Sequence, residues 1–75
     1  MQLANRIRKI REAKGFTQEE IAAKLEISCS AYGQIERKAQ NSSFNTLLKI
    51  SKCLEVSLPF LVDIDSNEFF ENNKL

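Results

Sequence analysis

The sequence predicts an all-α fold, and three observations carry that prediction. Apolar residues recur at intervals of three and four. Thr17, Ser28, Ser43 and Ser57 each stand just ahead of such a run, where a hydroxyl can cap a helix. No stretch alternates apolar with polar as a half-buried strand would.

The elements follow in order. Leu3, Ile7, Ile10 and Ala13 form the apolar stripe of a first helix over about residues 2–14, with Arg6, Arg8, Lys9 and Arg11 between them and Gly15 as its stop signal. Thr17-Gln18-Glu19-Glu20 fits a capping box, in which hydroxyl and carboxylate satisfy each other's free backbone N–H groups. The second helix turns Ile21, Ala22 and Leu25 inward and ends at Glu26-Ile27. Ser28 caps a third, over about 29–36, with Tyr32 and Ile35 inside and Ser30, Gly33, Gln34 and Arg37 on one polar stripe. A polar connector, residues 38–42, leads to a fourth helix over about 44–54, with Leu47, Ile50, Ser51 and Leu54 inward. Ser57 caps a short fifth helix whose first turn accepts Pro59, because the missing N–H there has no intrahelical partner.

Composition narrows the function classes. With 43% hydrophobic and 28% charged residues the chain is globular. Residues 1–63 are expected to form one domain, followed by an acidic tail over 64–75. Histidine is absent, removing the commonest general base and zinc ligand, and Cys29 and Cys53 alone cannot complete a structural zinc site. Two glycines provide no phosphate-cradling loop. The expectation is therefore no enzyme, no metal, no cofactor and no small-molecule substrate. The N-terminal stretch is basic without an apolar run behind it, and no segment is long enough to span a membrane. This predicts a cytoplasmic protein with free thiols and no membrane partner. Charge is uneven: residues 1–38 carry eight Lys/Arg against five Glu, and residues 39–75 three Lys against five Asp/Glu. A surface facing phosphates belongs in the first half; the alternative is an ordinary solvated face.

The informative unit is Thr17 to Arg37: cap, eight-residue helix, tight turn, cap, second helix. That is helix-turn-helix geometry. The turn is too short for an antiparallel return, so the second helix projects outward. Its polar, short-chained face suits a DNA major groove about 12 Å wide. An exposed Gln34 is otherwise just a solvated side chain.

These residues carry a family resemblance. The stretch RKIREAKGFTQEEIAAKLEISCSAYGQIERKAQNSSFNTLLKISKCLEVSLPFL is similar to the Cro/Xre-type regulators, the lambda-repressor-like family, over about residues 6–62. The resemblance implies a compact five-helix domain with its helix-turn-helix at about 17–37, binding double-stranded DNA as a homodimer. By position it implies base reading by Cys29, Ser30, Gly33 and Gln34, and phosphate contacts by Gln18, Arg37 and Lys38. It pairs Arg11 with Glu36 between the first and third helices. Glu26, Lys38 and Glu55 depart from the pattern, because the family often has Gly there. Either these backbones are left-handed, at about 1 kcal/mol each, or the turns are remodelled. Cys29 and Gly33 are weak hydrogen-bond readers, so readout falls mainly on Gln34 and Ser30 or on DNA shape. For Cys29, a redox-sensing thiol at the helix N-terminus is the alternative to a small, mildly polar filler.

For the dimer, the expected contact is the C-terminal third. Val56, Leu58, Phe60, Leu61, Val62 and Ile64 crowd more apolar surface into nine residues than one short helix can bury within its own domain. Leu61 is expected in the core, and Val56, Leu58, Phe60, Ile64, Phe69 and Phe70 are the interface candidates. Phe69 and Phe70 are either dimer anchors or part of a free tail. The leading function is a transcriptional repressor or similar regulator on a palindromic operator. The competing one is an antitoxin that binds operator DNA through this domain and a toxin through its tail.

Overall fold

The computed structural model describes residues 2–63. Ile64, Phe69 and Phe70, named above for the dimer contact, lie outside the described residues. Five helices follow one another: α1 (Gln2–Ala13), α2 (Gln18–Leu25), α3 (Cys29–Arg37), α4 (Phe44–Leu54) and α5 (Leu58–Leu61), with a single 3₁₀ turn, Ala39–Asn41, between α3 and α4. There is no strand among the described residues.

Each cap predicted from sequence is formed. Thr17 Oγ1 accepts from Glu20 N at 3.0 Å while Glu20 Oε1 accepts from Thr17 N at 2.8 Å, closing the capping box. Ser28, Ser43 and Ser57 accept from Ala31 N, Thr46 N and Phe60 N. The C-termini of α1, α2 and α4 end alike. In each, a residue just beyond the helix (the first after α2 and α4, the second after α1) is left-handed and two backbone N–H groups turn back onto the last carbonyls, the Schellman arrangement. Gly15 holds this place after α1 (φ 81°), with Gly15 N on Glu12 O and Phe16 N on Arg11 O. Glu26 (φ 61°) and Glu55 (φ 62°) hold it after α2 and α4. The left-handed alternative therefore applies at two of the three departures. Lys38 (φ −112°) is not left-handed; its turn is remodelled, with the 3₁₀ segment beginning at the next residue.

The core draws on every element. Leu3 and Ile7 of α1, Ile21 and Ala22 of α2, Tyr32 of α3, Ala39 of the 3₁₀ turn, Ile50 and Leu54 of α4, and Leu61 of α5 are buried together. Burying one large side chain contributes about 1.5–3 kcal/mol, and partly buried side chains such as Ile10, Leu25 and Leu47 pack around this centre. Ala13 stays exposed rather than facing inward. Ala39, missing from the sequence reading, is fully buried because the remodelled turn folds onto α1.

A further tie joins α1 to α5. Arg6 of α1 donates from Nε and Nη2 to the Phe60 carbonyl oxygen at 3.0 and 2.7 Å, and its guanidinium lies 4.4 Å from the centre of the Phe60 ring. Val56, Leu58 and Val62 pack half-buried against their own domain's core, while Phe60 stays 50% exposed.

Candidate nucleic-acid interface

The α2–α3 pair is held by a buried polar hub centred on Glu36. Its carboxylate accepts from Arg11 Nε (2.8 Å) and Nη2 (3.2 Å), from Gln18 Nε2 (2.9 Å) and from the Tyr32 hydroxyl (2.9 Å). Arg11 spends a further donor, Nη1, on the Phe16 carbonyl at 2.9 Å. Arg11 and Glu36 are both buried, and three helices meet at this point. Burial pushes the Glu36 carboxyl upward, but the hydrogen bonds from Arg11, Gln18 and Tyr32, with the Arg11 charge, outweigh it and hold the group below the usual carboxylate range. The bond to Glu36 raises Arg11 in turn. Burial, reinforced by the Glu36 charge, pushes the Tyr32 phenol up and keeps it a donor.

This hub fixes which face of α3 looks outward. Tyr32, Gly33 and Glu36 are buried; Cys29, Ser30, Gln34, Arg37 and Lys38 are exposed. The expectation that Gly33 lies on the exposed stripe is therefore corrected. Gln18 reaches across from α2 to Glu36, and Arg37 folds back, so both side chains cover Gly33. A Cβ there would meet Arg37 Nη1 at 3.4 Å and Gln18 Oε1 at 3.5 Å. Both are ordinary contact distances to the ends of flexible side chains, so the site would also accept an alanine.

The other candidate residues fall into three groups. Ser30 and Gln34 stand one helical turn apart on the outward face, with Cys29 at its start and Arg37 and Lys38 at its end. Gln18 sits half-buried at the first position of α2, its side-chain amide engaged by Glu36. Phe60 is well removed along the chain, on α5 against Arg6. Sequence reasoning missed the surface that flanks Gln34. A concavity of about 370 Å³ is lined by Gln34, Ile35, Lys38, Asn41, Ser42, Ser43 and Thr46. The polar run Asn41-Ser42-Ser43 was its only sequence signal. Phe44, 69% exposed at the start of α4, was also overlooked.

The arrangement offers hydrogen-bond donors and acceptors on the exposed face of α3, bordered by cations. Among the described residues, no group of three or more His, Cys, Asp or Glu is placed to hold a metal ion. No helix among them is long and apolar enough to cross a membrane. Burial pushes the Cys53 thiol up, with Lys24 opposing, as fits a packed side chain more than a reactive one.

Comparison with known proteins gives the same direction. A helix-turn-helix family profile matches residues 7–61. The chain is 39% identical over 62 residues to an uncharacterized HTH-type transcriptional regulator, YqaE, of Bacillus subtilis, covering 83% of this chain and 53% of that protein. It is 37% identical over 57 residues to Antitoxin HipB of Escherichia coli O6:H1, covering 76% and 61%. It is 35% identical over 65 residues to the HTH-type transcriptional regulator ImmR of B. subtilis, covering 87% and 51%. The chain thus spans little more than half the length of these relatives. No solved structure gives a significant match.

Proposed function

Because this chain belongs to the helix-turn-helix family of DNA-binding transcriptional regulators, which are not enzymes, we propose that it binds a palindromic operator as a homodimer and represses transcription there. One observation carries the reading: α3 turns Ser30 and Gln34 outward while Glu36, on the same helix, is locked to α1 and α2. In the proposal α3 enters the major groove. Gln34 pairs with adenine, Ser30 reads a neighbouring base, and Cys29 fills space beside them. Arg37 and Lys38 contact the backbone where α3 leaves the groove. Gln18 anchors a phosphate through the N-terminal end of α2, whose first backbone N–H groups have no intrahelical acceptor. Gly33, buried beneath the Gln18 and Arg37 side chains, is left out of the proposed base readers. Two copies meet through Val56, Leu58 and Phe60, continued by the tail with Ile64, Phe69 and Phe70. A domain over 1–63 and a tail over 64–75 remain part of this reading, as does a cytoplasmic location.

Selection of bound DNA from a random pool tests it. The expected product is an inverted repeat whose half-sites lie about 34 Å apart, one turn of DNA. An unenriched pool, or an asymmetric single site, would overturn the operator and dimer together.

The likeness to Antitoxin HipB favours a second reading, in which the chain also binds a toxin. Co-expression with the products of adjacent reading frames, followed by co-purification, separates the two.

A further inference from the structure

Beside the outward face of α3 lies a separate cleft of about 180 Å³, lined by Ala4, Asn5 and Arg8 of α1 and by Glu36 and Arg37 of α3. Its two exposed cations come from different helices. Arg8 is steadied by its own helix, with Nη2 donating to Asn5 Oδ1 at 3.1 Å. Among the described residues neither Arg8 nor Arg37 has a carboxylate within ion-pair distance. Glu36 brings the only acid to the lining, but both its oxygens are taken by Arg11, Gln18 and Tyr32, and Arg11 offsets its charge. The cleft is therefore positive on balance.

Guanidinium groups present planar forks of N–H donors that match the two non-bridging oxygens of a phosphate. We propose that this cleft between α1 and α3 binds a phosphodiester of the DNA backbone, held between Arg8 and Arg37, so that the DNA footprint extends from α3 onto α1. The inference rests on the DNA-binding reading above and adds a residue to it. Arg37 lies one turn beyond Gln34 on α3, so a backbone leaving the groove at Gln34 next meets Arg37, and behind it Arg8. A free inorganic phosphate offers the same oxygens, but only a nucleic-acid strand can reach this cleft and the α3 face at once.

The experiment is a fluorescence-anisotropy titration of the full chain with a labelled duplex of arbitrary sequence, repeated across a chloride series. Each neutralised phosphate adds about 0.9 to the slope of log K against log salt. Arg8→Ala is expected to flatten the slope by about that amount, as Lys38→Ala does, and Arg8→Lys to restore most of it. Lys9→Ala, exposed on the same helix but outside the cleft, is expected to change it far less. Arg8 is exposed, and a thermal melt confirms that its variants fold. An Arg8→Ala slope equal to that of the unaltered chain overturns the proposal, as does an equal loss from Lys9→Ala. So does saturation of the cleft by inorganic phosphate in an NMR titration with no change in the DNA slope. If Lys38→Ala and Arg37→Ala flatten the slope while Arg8→Ala does not, DNA binding stands and the cleft falls. If the unaltered chain shows no salt-dependent binding, both fall.

Discussion

Gln34 and Glu36 are two positions apart on one helix and have opposite fates. Gln34 is exposed and unencumbered, so a bidentate pair with adenine costs little reorganisation; such a pair gives about 1–3 kcal/mol of discrimination. Gln34→Ala is expected to lower specific affinity by about that much while leaving non-specific binding nearly unchanged; a competition titration in which both fall equally would remove it from the readers. Glu36 is a buried charge with a full set of partners. Removing one partner of such a pair costs about 3–5 kcal/mol, a large share of the ~4–11 kcal/mol available to a chain of this size. Glu36→Ala is expected to lose most of the stability in urea unfolding, and Arg11→Met in the same chain to restore much of it, since no buried charge is then left alone. The acid limb follows from the same site. The Glu36 carboxyl sits below its unfolded value, so its stabilisation is complete above the ordinary value of about 4.3 and is lost as pH falls through and below it. Urea midpoints measured down that range are expected to fall for the unaltered chain and to fall less for Glu36→Gln.

Among the elements, the caps were the most legible feature in the sequence. A Ser or Thr before an apolar run has one strong local use, and all four were read correctly from Thr17, Ser28, Ser43 and Ser57. Thr17→Ala removes half of the capping box and is expected to cost about 1 kcal/mol, several degrees in the melting temperature of so small a domain. The left-handed stops offer the opposite change: Glu26→Gly and Glu55→Gly are each expected to add roughly 0.5–1 kcal/mol of stability, and to raise the melting point accordingly, because glycine adopts that backbone without a Cβ clash. A melt that does not move in either case would contradict the cap assignment concerned. What was illegible depended on contacts between elements. The burial of Gly33 is set by Gln18 reaching over from α2, and the burial of Ala39 by a turn that folds onto α1. The grip of Arg6 on the Phe60 carbonyl joins residues 54 apart in the chain. Helical periodicity assigns faces to a single helix and says nothing of which neighbour covers an edge.

At the scale of the molecule, packing leaves two large apolar side chains well exposed among the described residues, Phe44 and Phe60. Leu61 goes to the core and Val56, Leu58 and Val62 half-follow it, so Phe60 is the exposed part of that region, with its backbone and ring already fixed by Arg6. On the proposed homodimer, Phe60→Ser is expected to weaken self-association and, at a given concentration, operator affinity with it. The carbonyl that holds Arg6 survives the change. Analytical ultracentrifugation showing a dimer of unchanged affinity would move the interface elsewhere, and Phe44 would be the next place to look. On the proposed DNA-reading role of α3, the separation between its buried hub and its exposed face also bears on how such a protein can diverge. Ser30 and Gln34 support no packing, and surface substitutions of that kind usually stay within about 0.5 kcal/mol of neutral. Their identities are thus free to drift, and a copy of the gene can acquire a new target through one or two substitutions on a scaffold that does not register the change.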